Sequence, residues 1–204
     1  MRKNVIDTFF RELDRALGKR ASVIVTGAAA GNLYGNVRAS ADIDFEIRIQ
    51  RRKQRDEQSI QDLIGEASAK AGVVANYSDD IAHWSMIDYL DYRKTSKRYK
   101  TIGRLDVRLM APEYWTIGKM TRLMKLDIDD MVKVIKKQRL PANRLVALWA
   151  RALTASPLSL AKGRFRANVE FFLRGYGNKV WGKQFDAEAA MKNFRKRAGL
   201  VNTR

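Results

Sequence analysis

Apolar residues recur at helical spacing over Val5, Ile6, Phe9, Phe10, Leu13 and Leu17, and Gly18 stands where a helix would stop. The short run Val23-Ile24-Val25 then predicts a buried strand. It leads into Thr26-Gly27-Ala28-Ala29-Ala30-Gly31, small residues where backbone can approach a ligand closely. From Asp42 to Ile49 polar and apolar residues alternate strictly, the period of a half-buried strand. Residues 54–71 read as a helix with Ile60, Leu63, Ile64 and Ala67 on one face and Gly72 closing it. Val73-Val74 and Ser85–Leu90 read as strands, and the polar, basic stretch from Asp91 to Gly103 as a hairpin loop. Arg104–Met110 alternates again. From Pro112 the pattern is helical to the end, with breaks expected near Pro141, Ser156-Pro157 and Gly175–Gly177.

These elements predict an α+β protein in which a mixed sheet flanked by helices (residues 1–111) precedes a basic helical region (residues 112–204) packed on that core. No internal repeat and no low-complexity segment interrupts this order. The chain contains no cysteine, which excludes a disulfide framework and a cysteine-ligated zinc site. The opening Met-Arg-Lys-Asn leads into a pattern broken by Asp7, Arg11 and Glu12, unlike a secretory signal, and no stretch reaches the length of a membrane span. The expectation is a soluble, cytoplasmic protein with no membrane partner.

Charge changes the picture most. The net charge is +18, and it is uneven: residues 1–100 hold 18 Lys/Arg against 14 Asp/Glu, residues 101–204 hold 22 against 8. Such an excess fits a polyanionic partner, most simply RNA or DNA held through phosphates; a merely solvated basic surface is the alternative.

Asp42 and Asp44 leave the same face of their strand, Glu46 continues the row, and Ile43, Phe45 and Ile47 leave the other face. Neighbouring carboxylates repel unless a cation compensates them, and hard oxygen ligands suit Mg²⁺ or Mn²⁺. Asp106 lies on the polar face of a later strand. If that strand neighbours the first, Asp106 completes a cluster of three carboxylates fit for two-metal nucleotidyl transfer; otherwise it is an ion-pair residue between Arg104 and Arg108.

Taken together, Gly27, Tyr34-Gly35, Arg38, Ser40, Asp42 and Asp44 resemble the motif of the nucleotidyltransferase superfamily, particularly its minimal bacterial members and the AbiEii-like toxin group. The resemblance covers roughly residues 20–135. It implies that Asp42, Asp44 and Asp106 bind metal, and that the turn at Gly27 and Ala28 cradles the phosphates of an NTP through backbone N–H groups, with Arg38 and Ser40 alongside. Ala28 departs from the family's Gly or Ser and removes a side-chain donor. Lys119 and Arg122, with Asp127 and Asp130, resemble the family's following helix pair, which implies a place near the nucleotide; two ordinary amphipathic helices are the alternative.

The function expected on this basis is metal-dependent transfer of a nucleoside monophosphate from NTP to an RNA or protein acceptor. The family further implies a toxin–antitoxin role and an antitoxin protein as partner. Two alternatives stand beside it: a non-catalytic nucleic-acid-binding protein on the same fold, and a small-molecule nucleotidyltransferase. Tyr89, Tyr92, Arg93, Lys94, Lys97, Arg98, Tyr99 and Lys100 form an aromatic-basic stretch able to clasp nucleic acid or to stand as a solvated hairpin. The cluster Lys192, Arg195, Lys196 and Arg197 offers a second basic contact. His83, the single histidine, has no identifiable catalytic partner, and Trp149, Phe165, Val169 and Phe172 read as core.

Overall fold

The amphipathic opening segment forms helix α1 (Lys3–Leu17), and Ile6, Phe9, Phe10 and Leu13 are its buried stripe. The computed structural model describes residues 3–35, 37, 42–49 and 57–200. In chain order there follow β1 (Ala21–Val25), α2 (Gly27–Gly35), β2 (Asp42–Ile49), α3 (Glu57–Ala71), β3 (Val74–Ser78) and a 3₁₀ turn at Ile81–Trp84. Next come α4 (Tyr92–Thr95), β4 (Lys97–Ile102) and β5 (Leu105–Leu109). The helices α5 (Pro112–Arg122), α6 (Lys125–Lys137), α7 (Ala142–Ala155), α8 (Leu160–Trp181) and α9 (Ala187–Arg197) complete the described chain. None of these described helices is long and apolar enough to cross a membrane.

The chain divides into two compact units, residues 1–81 with 93–111, and residues 82–92 with 112–204. The first is the α+β part. Its five strands form a mixed sheet in the order β3-β2-β1-β5-β4, in which β1 runs antiparallel to β2 and parallel to β5. β2 and β3 are parallel, joined through α3, while β4 and β5 form an antiparallel hairpin. Phe45 sends its ring from β2 against Phe9 and Phe10 of α1, with centroids 5.6 and 5.7 Å apart in edge-to-face contact. α3 packs beside α1. The apolar face of β2 is thus buried, which aims Asp42, Asp44 and Glu46 to the opposite side.

The second unit is helical. Phe165, Val169 and Phe172 of α8 and Trp149 of α7 are fully buried, and Trp149 Nε1 donates to Thr116 Oγ1 at 2.9 Å. The break at Ser156-Pro157 separates α7 from α8, and Pro141 precedes α7.

Four expectations are corrected. The small-residue stretch after β1 is the start of helix α2 rather than an open turn, its alanines buried against β2. Ser85–Leu90 is not a strand. Its alternation is real, since Ile87 and Tyr89 are buried, but its backbone donors meet side chains: Asp88 N–H donates to Ser156 Oγ at 2.8 Å and Leu90 N–H to Asp88 Oδ1. Nor does α8 break at Gly175–Gly177; Gly177 is a packing glycine, because a Cβ there would lie 2.1 Å from the Phe185 ring. The basic stretch after Asp91 holds α4 and β4, and the hairpin turn itself lies at Gly103-Arg104.

Candidate carboxylate site beside a helix N-terminus

Alternation along β2 puts Asp42, Asp44, Glu46 and Arg48 on one face of the sheet. Directly behind β1, Thr26 caps α2 with its carbonyl, which accepts from Ala30 N–H at 3.1 Å. The N–H groups of Gly27, Ala28 and Ala29 therefore open the helix, where the backbone dipoles favour an anion. Asp44 supplies one. Thr26 N–H donates to the Asp44 carbonyl at 2.8 Å, and the Asp44 carboxylate lies over Gly27 so closely that a Cβ there would be 1.9 Å from Oδ2. Gly27 also has φ of 60°, the left-handed region that glycine adopts at least cost. Two independent constraints thus require glycine at this position.

On the other side of β2, the parallel register sets Asn76 opposite Asp44. The Asn76 amide donates to Asp44 Oδ1 at 2.9 Å and to Asp42 Oδ2 at 3.3 Å, tying the two carboxylates together. Asn76 was not among the expected site residues. Part of the signal was available, since a strand, a helix and a second strand in succession form a parallel unit, but the register that sets Asn76 opposite Asp44 is given only by the fold.

Asp106 lies elsewhere. It is aligned with Ser22 of β1, and Ser22 with Arg48 of β2. Asp106 therefore shares the face of Asp44 but sits two strands across and four residues along. That is roughly 15 Å at ordinary strand spacings. Its near partner is Arg108, at 3.5 Å, as the ion-pair alternative had it. Among the described residues no three His, Cys, Asp or Glu side chains gather as metal ligands.

Glu46, 1% exposed, is held by Arg93 through two hydrogen bonds of 2.7 and 3.0 Å, with Arg48 at 3.3 Å. Arg93 also reaches Asp80 at 3.0 Å. The acidic row thus ends in a neutralised member.

Ala28 is buried, so its side chain faces protein, while Arg38 and Ser40 and the side chain of His83 lie outside the described residues. Lys119 and Arg122 belong to the helical unit. Lys119 Nζ bonds Asp127 at 3.0 Å and Asp130 at 2.8 Å, all three buried, and lies 5.3 Å from the Trp115 ring centroid. Arg122 makes two bonds of 2.7 Å to Asp127, which also accepts from Met124 N–H at 3.2 Å. Burial pushes the Asp127 carboxyl up, but hydrogen bonds from Arg122 and Lys119 outweigh it and hold the group below its ordinary value. This arrangement is an ionic joint between α5 and α6.

The aromatic residues of the aromatic-basic stretch are engaged inside the protein, while Lys94, Lys97, Arg98 and Lys100 are exposed. Tyr89 and Tyr92 are buried, and Tyr99 donates to Asp7 at 2.9 Å beside the Lys100–Asp7 pair at 2.8 Å. Burial and Asp7 together push the Tyr99 hydroxyl far above its ordinary range.

Two neighbouring carboxylates offer two hard negative ligands to a single divalent cation, while the Asn76 Nδ2 that faces them is a donor and would have to give way to the amide oxygen for Asn76 to be a third. No family model matches the chain, and no curated protein or solved structure matches it.

Proposed function

We propose that this chain is a metal-dependent nucleotidyltransferase that moves a nucleoside monophosphate from an NTP to a hydroxyl of an RNA or protein acceptor. The observation that carries this reading is the placement of the Asp44 carboxylate on Gly27, at the first turn of α2, with Asp42 and Asn76 beside it. A phosphate recognised there would share the first turn of α2 with the Asp44 carboxylate, two anions that call for a cation between them. Asp42 and Asp44 would hold Mg²⁺, which when bound offsets phosphate charge and sharpens the electrophilicity of the α-phosphorus. The acceptor hydroxyl oxygen forms the new bond to that phosphorus and gives its proton to solvent, the bond to the bridging oxygen breaks, and pyrophosphate leaves with the electron pair. The resemblance of the Gly27–Asp44 motif to toxin-type members adds growth inhibition, restrained by an antitoxin, as the accompanying biological role.

A second reading has its own support. Asn76 is neutral and Asp106 is distant, so the site musters two carboxylates where a two-ion mechanism calls for more. On that reading the fold binds nucleic acid without transfer.

The test is incubation with Mg²⁺, α-labelled NTPs and total RNA, beside Asp44→Ala and Asn76→Asp. Label on RNA or protein that falls roughly 100-fold or more in Asp44→Ala supports the enzyme. Absence of label from the wild type, with transfer gained in Asn76→Asp, would favour the binding protein and identify Asn76 as the cause. Label unchanged in Asp44→Ala would sink the site.

A further inference from the structure

The surface of the helical unit carries more cations than acids, and part of its counter-charge is spent inside the fold, although Asp91, Asp186 and Glu188 are exposed. Asp127, Asp130 and Glu113 are interior, and Glu170 is occupied by Arg166 at 3.3 Å and by Arg195 at 3.0 and 2.7 Å. On α8 this leaves one continuous outward face, with Leu160, Gly163, Arg164, Phe171, Arg174 and Gly175 all exposed. The acid of α8, Glu170, lies at the margin of this face, seven residues from Gly163, and is already paired with Arg166 and Arg195. The nearest acid from a neighbouring element is Glu188 of α9, itself largely solvated, 3.6 Å from Arg174.

Three features of this face call for an external partner. Phe171 is 56% exposed, with its ring tilted against Tyr176 at 5.9 Å, so a rigid aromatic surface stands open to solvent. Arg164 and Arg174 lie about two turns before it and one turn after it along the same stripe. Gly163 and Gly175 sit in helical conformation with nothing within 4 Å of where a Cβ would be. Each costs about 1 kcal/mol relative to alanine in a helix, and no neighbour inside the chain requires the missing side chain. Bare backbone beside arginines admits a sugar–phosphate chain at close range.

We propose that this face of α8 is a single-stranded RNA platform, on which an unpaired base stacks on Phe171 while Arg164 and Arg174 hold the flanking phosphates. Stacking on an exposed ring is open to any base and needs the base unpaired, so the partner is single-stranded. An excess of +18 disfavours a second copy of the chain on the same face. The inference deepens the proposed function by placing its acceptor RNA, and it rests on that reading for RNA as the acceptor. Its test contains no transfer step, so it and the catalytic site fail independently.

The experiment is fluorescence anisotropy with a labelled oligoadenylate of about 12 nucleotides, using the full chain over a salt series. Phe171→Ala should weaken binding roughly tenfold without changing the salt slope, and Phe171→Trp should restore it. Arg164→Gln with Arg174→Gln should weaken binding and flatten the slope of log K against log salt by about 1.4. Circular dichroism of each variant should match the wild type, since these side chains lie outside the core. Wild-type affinity in Phe171→Ala would overturn the proposal. So would equal binding of an RNA duplex, or displacement of the oligonucleotide by poly-glutamate as readily as by unlabelled RNA, which would mark the face as a site for acidic protein.

Discussion

Gly27 shows how much one residue can be asked to do. Its φ of 60° excludes a side chain at low cost, and the Asp44 carboxylate fills the space a Cβ would take. Gly27→Ala must therefore displace Asp44 or twist the first turn of α2. The conformational cost is roughly 1–2 kcal/mol, modest beside the effect on the site. The variant should keep a cooperative melt within several degrees of the wild type. On the proposed reading the wild type gains Tm with Mg²⁺, and the variant should lose that gain and cut transfer about 100-fold. If Mg²⁺ raises the Tm of Gly27→Ala as much as that of the wild type, the Asp44–Gly27 contact is structural only. Gly27 itself was visible in the sequence because small residues follow a buried strand, but its reason was not. Contact with Asp44 spans 17 positions and depends on β1 and β2 pairing, which no local pattern states.

At the scale of elements, period was a good guide to helices and a partial one to strands. α1, β2 and β5 were read within a few residues because each has one buried face and one solvated face. Ser85–Leu90 has that alternation too, yet makes no ladder, since alternation reports two environments and says nothing of a pairing partner. Asp106 failed for the related reason that parity fixes its face while register fixes its place. The α5–α6 joint makes the same point with charges. Lys119, Arg122, Asp127 and Asp130 were conspicuous in the sequence, but only the fold shows that they satisfy one another. Lys119→Met would remove the buried cation that Asp127 and Asp130 share and should cost about 3–5 kcal/mol at neutral pH, read by urea denaturation. A carboxyl lowered in the fold, as Asp127 is, stabilises above the ordinary carboxylate pKa and loses that contribution as pH falls through its lowered value. The wild type should therefore weaken below about pH 4, while the Lys119→Met deficit shrinks there as Asp127 takes its proton. A deficit constant from pH 7 to pH 3 would mean that Lys119 acts through packing against Trp115.

For the whole molecule, the informative feature is that the chain passes between its two units three times. A cut between Ala111 and Pro112 matches the change from alternating to helical pattern, yet residues 82–92 belong with the helices. Ile87, Tyr89 and Tyr92 of that segment are buried, Tyr89 so tightly that a Cβ on Gly118 would lie 2.5 Å from its hydroxyl. Asp91 accepts from the Tyr114 hydroxyl at 2.8 Å, and Asp88 N–H donates to Ser156. Burying three such side chains contributes about 5 kcal/mol, comparable with the whole stability of a small domain. Residues 112–204 expressed alone should consequently be helical by circular dichroism but melt broadly, without a cooperative transition. The same residues fused through a Gly/Ser linker to 82–92 should regain a sharp melt, and Tyr89→Ala in that fusion should abolish much of the gain. A cooperative melt from 112–204 alone would show that the helices need no contribution from the segment before them, and the unit boundary would then lie at Pro112.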